Sequence, residues 1–175
     1  AAAKRVMTRP AVAASLLLEG GHADAAICGG LGDWMGQWTH VLDIIGKRDD
    51  VGRVYALSGL VTRAGEHLFV VDTHLCLEPS AEQIAEMTLL AAEQVRAFGI
   101  TPKVALLSHS SFGASHAPSA RRMRQALKLV RMHDPALEVD GEMHGDAALI
   151  PAIRARAVPD SRLDGAANLL VMPGI

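Results

Sequence analysis

Between Lys103 and Arg124 the chain reads KVALLSHSSFGASHAPSARRMR, and this stretch concentrates residue types that bind anions. Its middle, Ser108-His109-Ser110-Ser111-Phe112-Gly113-Ala114-Ser115-His116, holds four serines, two histidines and one glycine. Hydroxyls and imidazoles donate hydrogen bonds, and glycine lets a backbone N–H come close to a ligand. Pro118-Ser119 then starts a helix, with proline where a missing N–H costs least. Arg121, Arg122 and Arg124 follow within two turns, beside the positive end of the helix dipole. Such a set suits an anion or a nucleotide. The same residue types also build ordinary βα loops. Ser108 beside His109 is a poor hydrolase signature, because neighbours in an extended chain point apart and no G-x-S-x-G elbow is present.

Three further polar clusters invite chemistry. Asp140-Gly141-Glu142-Met143-His144-Gly145-Asp146 gathers three acids and a histidine, which fits either a divalent-metal or acid/base group or a set of loop and helix caps. Gly29-Gly30-Leu31-Gly32 could cradle a phosphate or simply turn the chain. Asp72-Thr73-His74 closes an apolar run with polar side chains.

The elements that must position these clusters alternate. A helix runs from Pro10 to Glu19 and stops at Gly20-Gly21. Ala25 to Cys28 is expected as a short buried strand. Trp34 to Ile45 repeats Trp34, Trp38, Val41 or Leu42, and Ile45 at helix spacing, which points to a packed face or a subunit contact. Val54–Val61 and His67–Val71 predict an antiparallel hairpin around Gly65. Ser80 and Gln83 form a capping box before a helix whose apolar face is Ile84, Met87, Ala91, Val95 and Phe98. Val104–Leu107, Leu137–Asp140 and Asn168–Val171 are short apolar strands. Between the first two lies a helix burying Met123, Ala126, Leu127 and Val130, with Arg121, Arg124, Lys128 and Arg131 as a solvated stripe. Pro151 restarts the helix between the last two. Helices alternating with strands and broken once by a hairpin predict an α/β fold, a three-layer α/β/α sandwich with a mixed, mostly parallel sheet. Parallel strands would bring the polar tips after Cys28, Val71, Leu107 and Val139 to one sheet edge, the usual place for a ligand.

Composition narrows the function. The chain has 175 residues, half apolar yet 3% aromatic, so its core is built from Ala, Leu, Val and Ile. A net charge of −2 gives no general bias toward nucleic acid or membranes. The longest apolar stretch, Ala11 to Leu18, is too short to span a bilayer. No basic, apolar leader is visible, and Cys28 and Cys76 match no metal pattern, which together predict a reducing, cytoplasmic setting. The start at Ala1 and the stop at Ile175 just after a strand-like run read as a piece of something longer.

The segments SHSSFGASHAPSARRMRQAL, DGEMHGDAAL and ANLLVMP, with DTHLCLEPSAEQIAEMTLLAAEQVRAFG upstream, resemble the phosphate acetyl/butyryltransferase family. The resemblance runs over nearly the whole chain, from TRPAVAASLLLEGGHADAAICGG onward. Within the family it points to the phosphotransacetylase-like C-terminal domain of bacterial hybrid NADP-dependent malic enzymes. It implies an isocitrate dehydrogenase-like α/β/α fold, here C-terminally incomplete, with residues 1–175 forming one phosphotransacetylase-like domain. It also implies dimers through this domain, and an acyl-CoA site built from Ser108, His109, Ser110, Ser111, Phe112, Gly113, Ser115, Arg121, Arg122, Asp140 and Glu142. Acetyl-CoA would be a regulatory ligand, while NADP and a divalent metal would belong to the malate-oxidising part alone. Two departures matter. Thr39 stands where the transferases carry arginine, and Phe112 precedes Gly113 where they have lysine. The family's serine–arginine pair and acidic partner fall beyond Ile175, so no catalytic set carries over. The resemblance therefore implies a domain that senses acetyl-CoA, with an active phosphate acetyltransferase as the alternative.

Overall fold

The computed structural model describes residues 2–29 and 32–174, without the side chains of Ala2 and Ala3. It divides into two compact units, residues 1–52 and 53–175.

The N-terminal unit contains α1 (Ala2–Met7), α2 (Pro10–Glu19) and α3 (Trp34–Ile44). Proline at N1 starts α2, and Asp33 caps α3 by accepting a hydrogen bond from Gly36 N at 2.7 Å. Ala25 to Cys28, expected as a buried strand, form none, and Ile27 is fully exposed. An apolar run of this length becomes a strand only where a neighbouring strand takes up its N–H and C=O groups, and it has no such partner among the described residues. The packed face expected on the tryptophan helix is not seen either. No residue of α3 is buried, and Trp34 is 47% exposed.

The C-terminal unit is one five-stranded sheet in the order β1-β2-β5-β3-β4. β1 (Leu57–Val61) and β2 (His67–Val71) form the expected antiparallel hairpin, closed by Thr62 N on Glu66 O and by Gly65 at φ 83°. β2, β5 (Leu169–Val171), β3 (Lys103–Leu107) and β4 (Glu138–Met143) all run parallel. α4 (Ala81–Ala97) joins β2 to β3, and α5 (Pro118–His133) joins β3 to β4. α6 (Gly145–Leu149) and α7 (Pro151–Ala157), separated at Ile150 with Pro151 starting the second, return the chain to the sheet interior.

Alternation along the strands makes three layers. Phe69, Val71, Val104, Leu106, Val139, Leu169 and Val171 join Ile84, Met87, Val95, Met123 and Val130 of α4 and α5 in the larger core. On the other side Ala105, Leu170 and Met143 meet Ala147 and Ala148 of α6. The capping box forms as expected: Ser80 Oγ accepts Gln83 N at 3.2 Å, and Gln83 Oε1 accepts Ser80 N at 2.9 Å. Phe98 departs from the expected apolar face. It is the C-cap of α4, 68% exposed, and stacks on Phe69 at 5.7 Å. Asn168 pins the far ends of β3 and β5 by accepting Lys103 N at 2.7 Å and donating to Thr101 O at 2.8 Å.

Candidate functional site

Parallel pairing places the carboxyl ends of β2, β5, β3 and β4 along one edge, so the polar clusters after Val71, Leu107 and Val139 share that rim. The fourth expected member, after Cys28, lies in the other unit, and its Gly30 and Leu31 fall outside the described residues.

The rim is organised at the end of β4. Register shifts between Leu106 and Leu107, so that Leu106 pairs with Gly141 and Leu107 with Met143, leaving Glu142 as the extra residue of a bulge. Gly141 makes this possible. At φ 142° an added Cβ would lie 2.6 Å from Leu106 O, so no larger residue fits. Glu142, expected beyond the end of the Leu137–Asp140 strand, is therefore a strand residue like Asp140, and both are buried.

Glu142 is completely buried, and its Oε1 collects three donors. Ser110 Oγ donates at 3.0 Å, Gly113 N at 3.0 Å and Arg124 Nη1 at 2.7 Å. Its main-chain oxygen accepts Phe112 N at 2.7 Å. The buried Oε2 has no hydrogen-bond partner, and neither has the buried Oγ of Ser108. The serine loop is thus folded over one carboxylate. Phe112 takes up the turn with φ 49°, an unusual value for a bulky residue, followed by Gly113 at 89°. Its half-buried ring packs against the Ala105, Met143, Ala147 and Leu170 cluster. Further ties hold the remaining loop: Ser111 Oγ accepts His144 N at 3.2 Å, and His109 Nε2 lies 3.2 Å from Ser115 Oγ. Ser115 Oγ also accepts Ala117 N, and its carbonyl accepts Arg124 Nη2 at 3.0 Å.

The predicted ligand residues thus separate. Ser110, Phe112, Gly113 and Glu142 come together, but Ser110 and Gly113 direct their donors inward. Asp140 is satisfied elsewhere: Oδ1 accepts Arg131 and Gly141 N, and Oδ2 accepts Ser161 Oγ and Arg162 N. Arg121 is exposed, whereas Arg122 is half-buried with an unpartnered Nε. Arg124, expected on a solvated stripe, is the cation that the site uses. Among the described residues no group of three or more His, Cys, Asp or Glu could hold a metal ion.

For a nucleotide phosphate the arrangement offers one clear receptor. α5 has no side-chain cap, so its first-turn N–H groups are open to an anion beside the exposed Arg121. Ser110 and Gly113 do not fit that role in this conformation.

At the rim's other end, Asp72 Oδ1 accepts Ala56 N, His74 N and Leu75 N, while Thr73 Oγ1 lies 3.0 Å from Ser58 Oγ. In the N-terminal unit a cavity of about 480 Å³ is lined in part by Arg9, Cys28, Asp33 and His40. Arg9 Nη1 lies 2.7 Å from His40 Nε2. Arginine only donates, so the imidazole nitrogen accepts in this contact.

Comparison with known proteins agrees with the resemblance. The NADP-dependent malic enzyme of Escherichia coli (strain K12) is 49% identical over 174 residues, covering 99% of this chain and 23% of that enzyme. The phosphate acetyltransferase of Paracoccus denitrificans is 37% identical over 184 residues, covering 99% of this chain and 57% of that enzyme. Among solved structures, a phosphotransacetylase from Streptococcus pyogenes superposes with a TM-score of 0.83 at 30% identity, over 93% of this chain and 50% of that one. The chain thus spans about a quarter of the malic enzyme it matches, and about half of the transferases. The family model described as Phosphate acetyl/butaryl transferase matches residues 1–175, and the chain belongs to that family.

Proposed function

We propose that this chain is a regulatory acyl-CoA-sensing and oligomerising domain of an NADP-dependent malic enzyme, which oxidatively decarboxylates malate to pyruvate and is inhibited by acetyl-CoA. The nucleotide phosphates would meet the open first turn of α5 and Arg121, with the thioester end toward the serine loop. NADP and the divalent metal would be held by the malate-oxidising part of the protein, and the domain would pair with a second copy in the cytoplasm.

The observation that carries this reading is Phe112. By resemblance a transferase has lysine there, and a cation at that place would stabilise charge developing on a transferring acyl phosphate. Here a phenyl ring occupies the position and packs into an apolar cluster. Thr39 removes a second expected cation. A serine loop without that lysine would bind a CoA ester without transforming it. The 49% identity to a malic enzyme supports the same conclusion.

Calorimetric titration of the full-length protein with acetyl-CoA tests the reading. Saturable binding, with matching inhibition of malate-dependent NADP reduction, is expected. No heat at about 1 mM ligand, a concentration that would reveal even weak sites, overturns it. The 37% identity to a phosphate acetyltransferase favours a second reading, in which the same protein makes acetyl-CoA from acetyl phosphate and CoA. Turnover in that assay would replace the regulatory reading.

A further inference from the structure

Three donors from two different elements converge on a single oxygen of Glu142: the hydroxyl of Ser110, the main-chain N–H of Gly113 and the guanidinium of Arg124. A hydroxyl, a glycine amide and an arginine are the set that holds a small oxyanion. Glu142 fills it from below, out of the β4 bulge, with no part of its side chain exposed to solvent.

We infer that the serine loop is an anion cradle already occupied by the chain's own carboxylate, and that Glu142 thereby excludes inorganic phosphate and similar small oxyanions from it. On the acyl-CoA reading of the loop, on which this rests, Glu142 acts within that site as an internal stand-in for a bound anion.

Two observations support a stand-in over a plain structural ion pair. The binding is lopsided. Oε1 takes all three donors while Oε2, equally buried, takes none, so the second oxygen contributes no hydrogen bond to the fold and the three donors are gathered about one point. The cradle is also within reach of solvent. Gly113 is exposed, and the Arg124 side chain keeps 27% of its surface, so an anion could enter if the glutamate were removed. A carboxylate and a phosphate cannot share the cradle, because the second negative charge would meet the first at hydrogen-bond range with one arginine between them.

The test titrates inorganic phosphate into the full-length protein, wild type and Glu142→Ala, following ³¹P line broadening and heat. The expected result is phosphate affinity at least about tenfold higher in Glu142→Ala than in wild type, and loss of that gain in the double variant Glu142→Ala/Arg124→Gln. Equal affinity in wild type and Glu142→Ala, or a gain that survives loss of Arg124, overturns the inference. If Glu142→Ala proves unfolded by thermal melting, Glu142→Gln decides. It keeps the shape and one acceptor but drops the charge, and a gain of about threefold is expected, whereas no gain overturns the inference. Acetyl-CoA titration of the wild type is scored separately. Acetyl-CoA binding without any phosphate gain in the variants removes the role of Glu142 and leaves the acyl-CoA reading standing. A phosphate gain without acetyl-CoA binding does the reverse.

Discussion

Arg131 Nη2 lies 3.0 Å from Oδ1 of Asp140, repeating on a second level the contact that Arg124 makes with Glu142 at 2.7 Å. The arginines are seven residues apart on α5, a rise of about 10.5 Å, and the carboxylates two apart on β4, about 6.6 Å. The difference of roughly 4 Å is within what two flexible arginines absorb, so helix and strand are joined by two rungs. Both rungs end in buried acids, and removing a partner there costs more than at the surface. Asp140 also holds Ser161 and the N–H groups of Gly141 and Arg162, whereas Arg131 makes fewer contacts. Asp140→Ala is therefore expected to lose about 2–4 kcal/mol and Arg131→Ala about 1–2 kcal/mol in urea unfolding. A double-mutant cycle showing no coupling would mean that the rung holds nothing.

Tyr55 predicts a pH dependence. Burial first, and then the hydrogen bond from its hydroxyl to Glu86 Oε2 at 2.6 Å, push the phenol well above its usual value. A proton kept by the folded chain after the unfolded chain has lost it makes stability fall as pH rises. The Tyr55 contribution is thus intact below about pH 10 and lost above it. Tyr55→Phe should flatten the alkaline limb of the stability profile. An ultraviolet difference titration between wild type and Tyr55→Phe should place the native phenol above the ordinary range. A midpoint near pH 10 in the folded protein would contradict the burial.

The two cysteines should separate kinetically. Cys28 is exposed and Cys76 buried, and burial, reinforced by the Asp72 carboxylate, raises the Cys76 thiol. A thiol reagent at neutral pH should modify Cys28 quickly, and Cys28→Ser should remove that phase. Cys76 should react only after denaturant is added. Rapid modification of Cys76 in the folded state would show that the β2 end opens readily.

What sequence could reveal divides along physical lines. Ser80 and Gln83 are local, four residues of one turn, and the capping box was legible because nothing distant decides it. The apolar spacing Ile84, Met87, Ala91 and Val95 was legible for the same reason, and so was Pro118 at the head of α5. The serine loop and Glu142 were both recognisable as polar tips of parallel strands, and they do meet at 3.0 Å. The β4 bulge was not readable, because it depends on how closely Gly141 approaches Leu106 in the neighbouring strand. Without it the strand reads as ending at Asp140, and Glu142 looks like a loop acid. Arg124 looked solvated because helix periodicity shows only that it lies off the apolar face, not that a strand-borne carboxylate waits there. The strand expected at Ala25–Cys28 failed for a related reason. Apolarity marks a segment that could join a sheet, and only tertiary pairing decides whether one receives it.

Arg154 gives the sharpest test of a feature that no sequence pattern announced. It is 3% exposed, and its partners are main-chain carbonyls: Ala147 at 3.0 Å and Ala148 at 3.4 Å from Nη1, Leu163 at 3.1 Å and Gly165 at 2.5 Å from Nη2. The first two are end carbonyls of α6, left without helical partners and at the negative end of its dipole. The other two belong to the segment that leads into β5. The guanidinium therefore fastens a helix end to the chain entering the sheet interior, and it needs a planar fork to address both at once. Arg154→Met should cost about 3 kcal/mol, because it takes the guanidinium donor from the carbonyls of the buried Ala147 and Leu163. Arg154→Lys keeps the charge but supplies a compact ammonium that cannot span the two pairs, so it should still cost about 2 kcal/mol. Amide exchange at Ala167, whose N–H donates to Ala148 O at 2.9 Å, should quicken in both variants before global unfolding. A lysine variant as stable as the wild type would show that charge alone suffices and that the fork geometry is incidental.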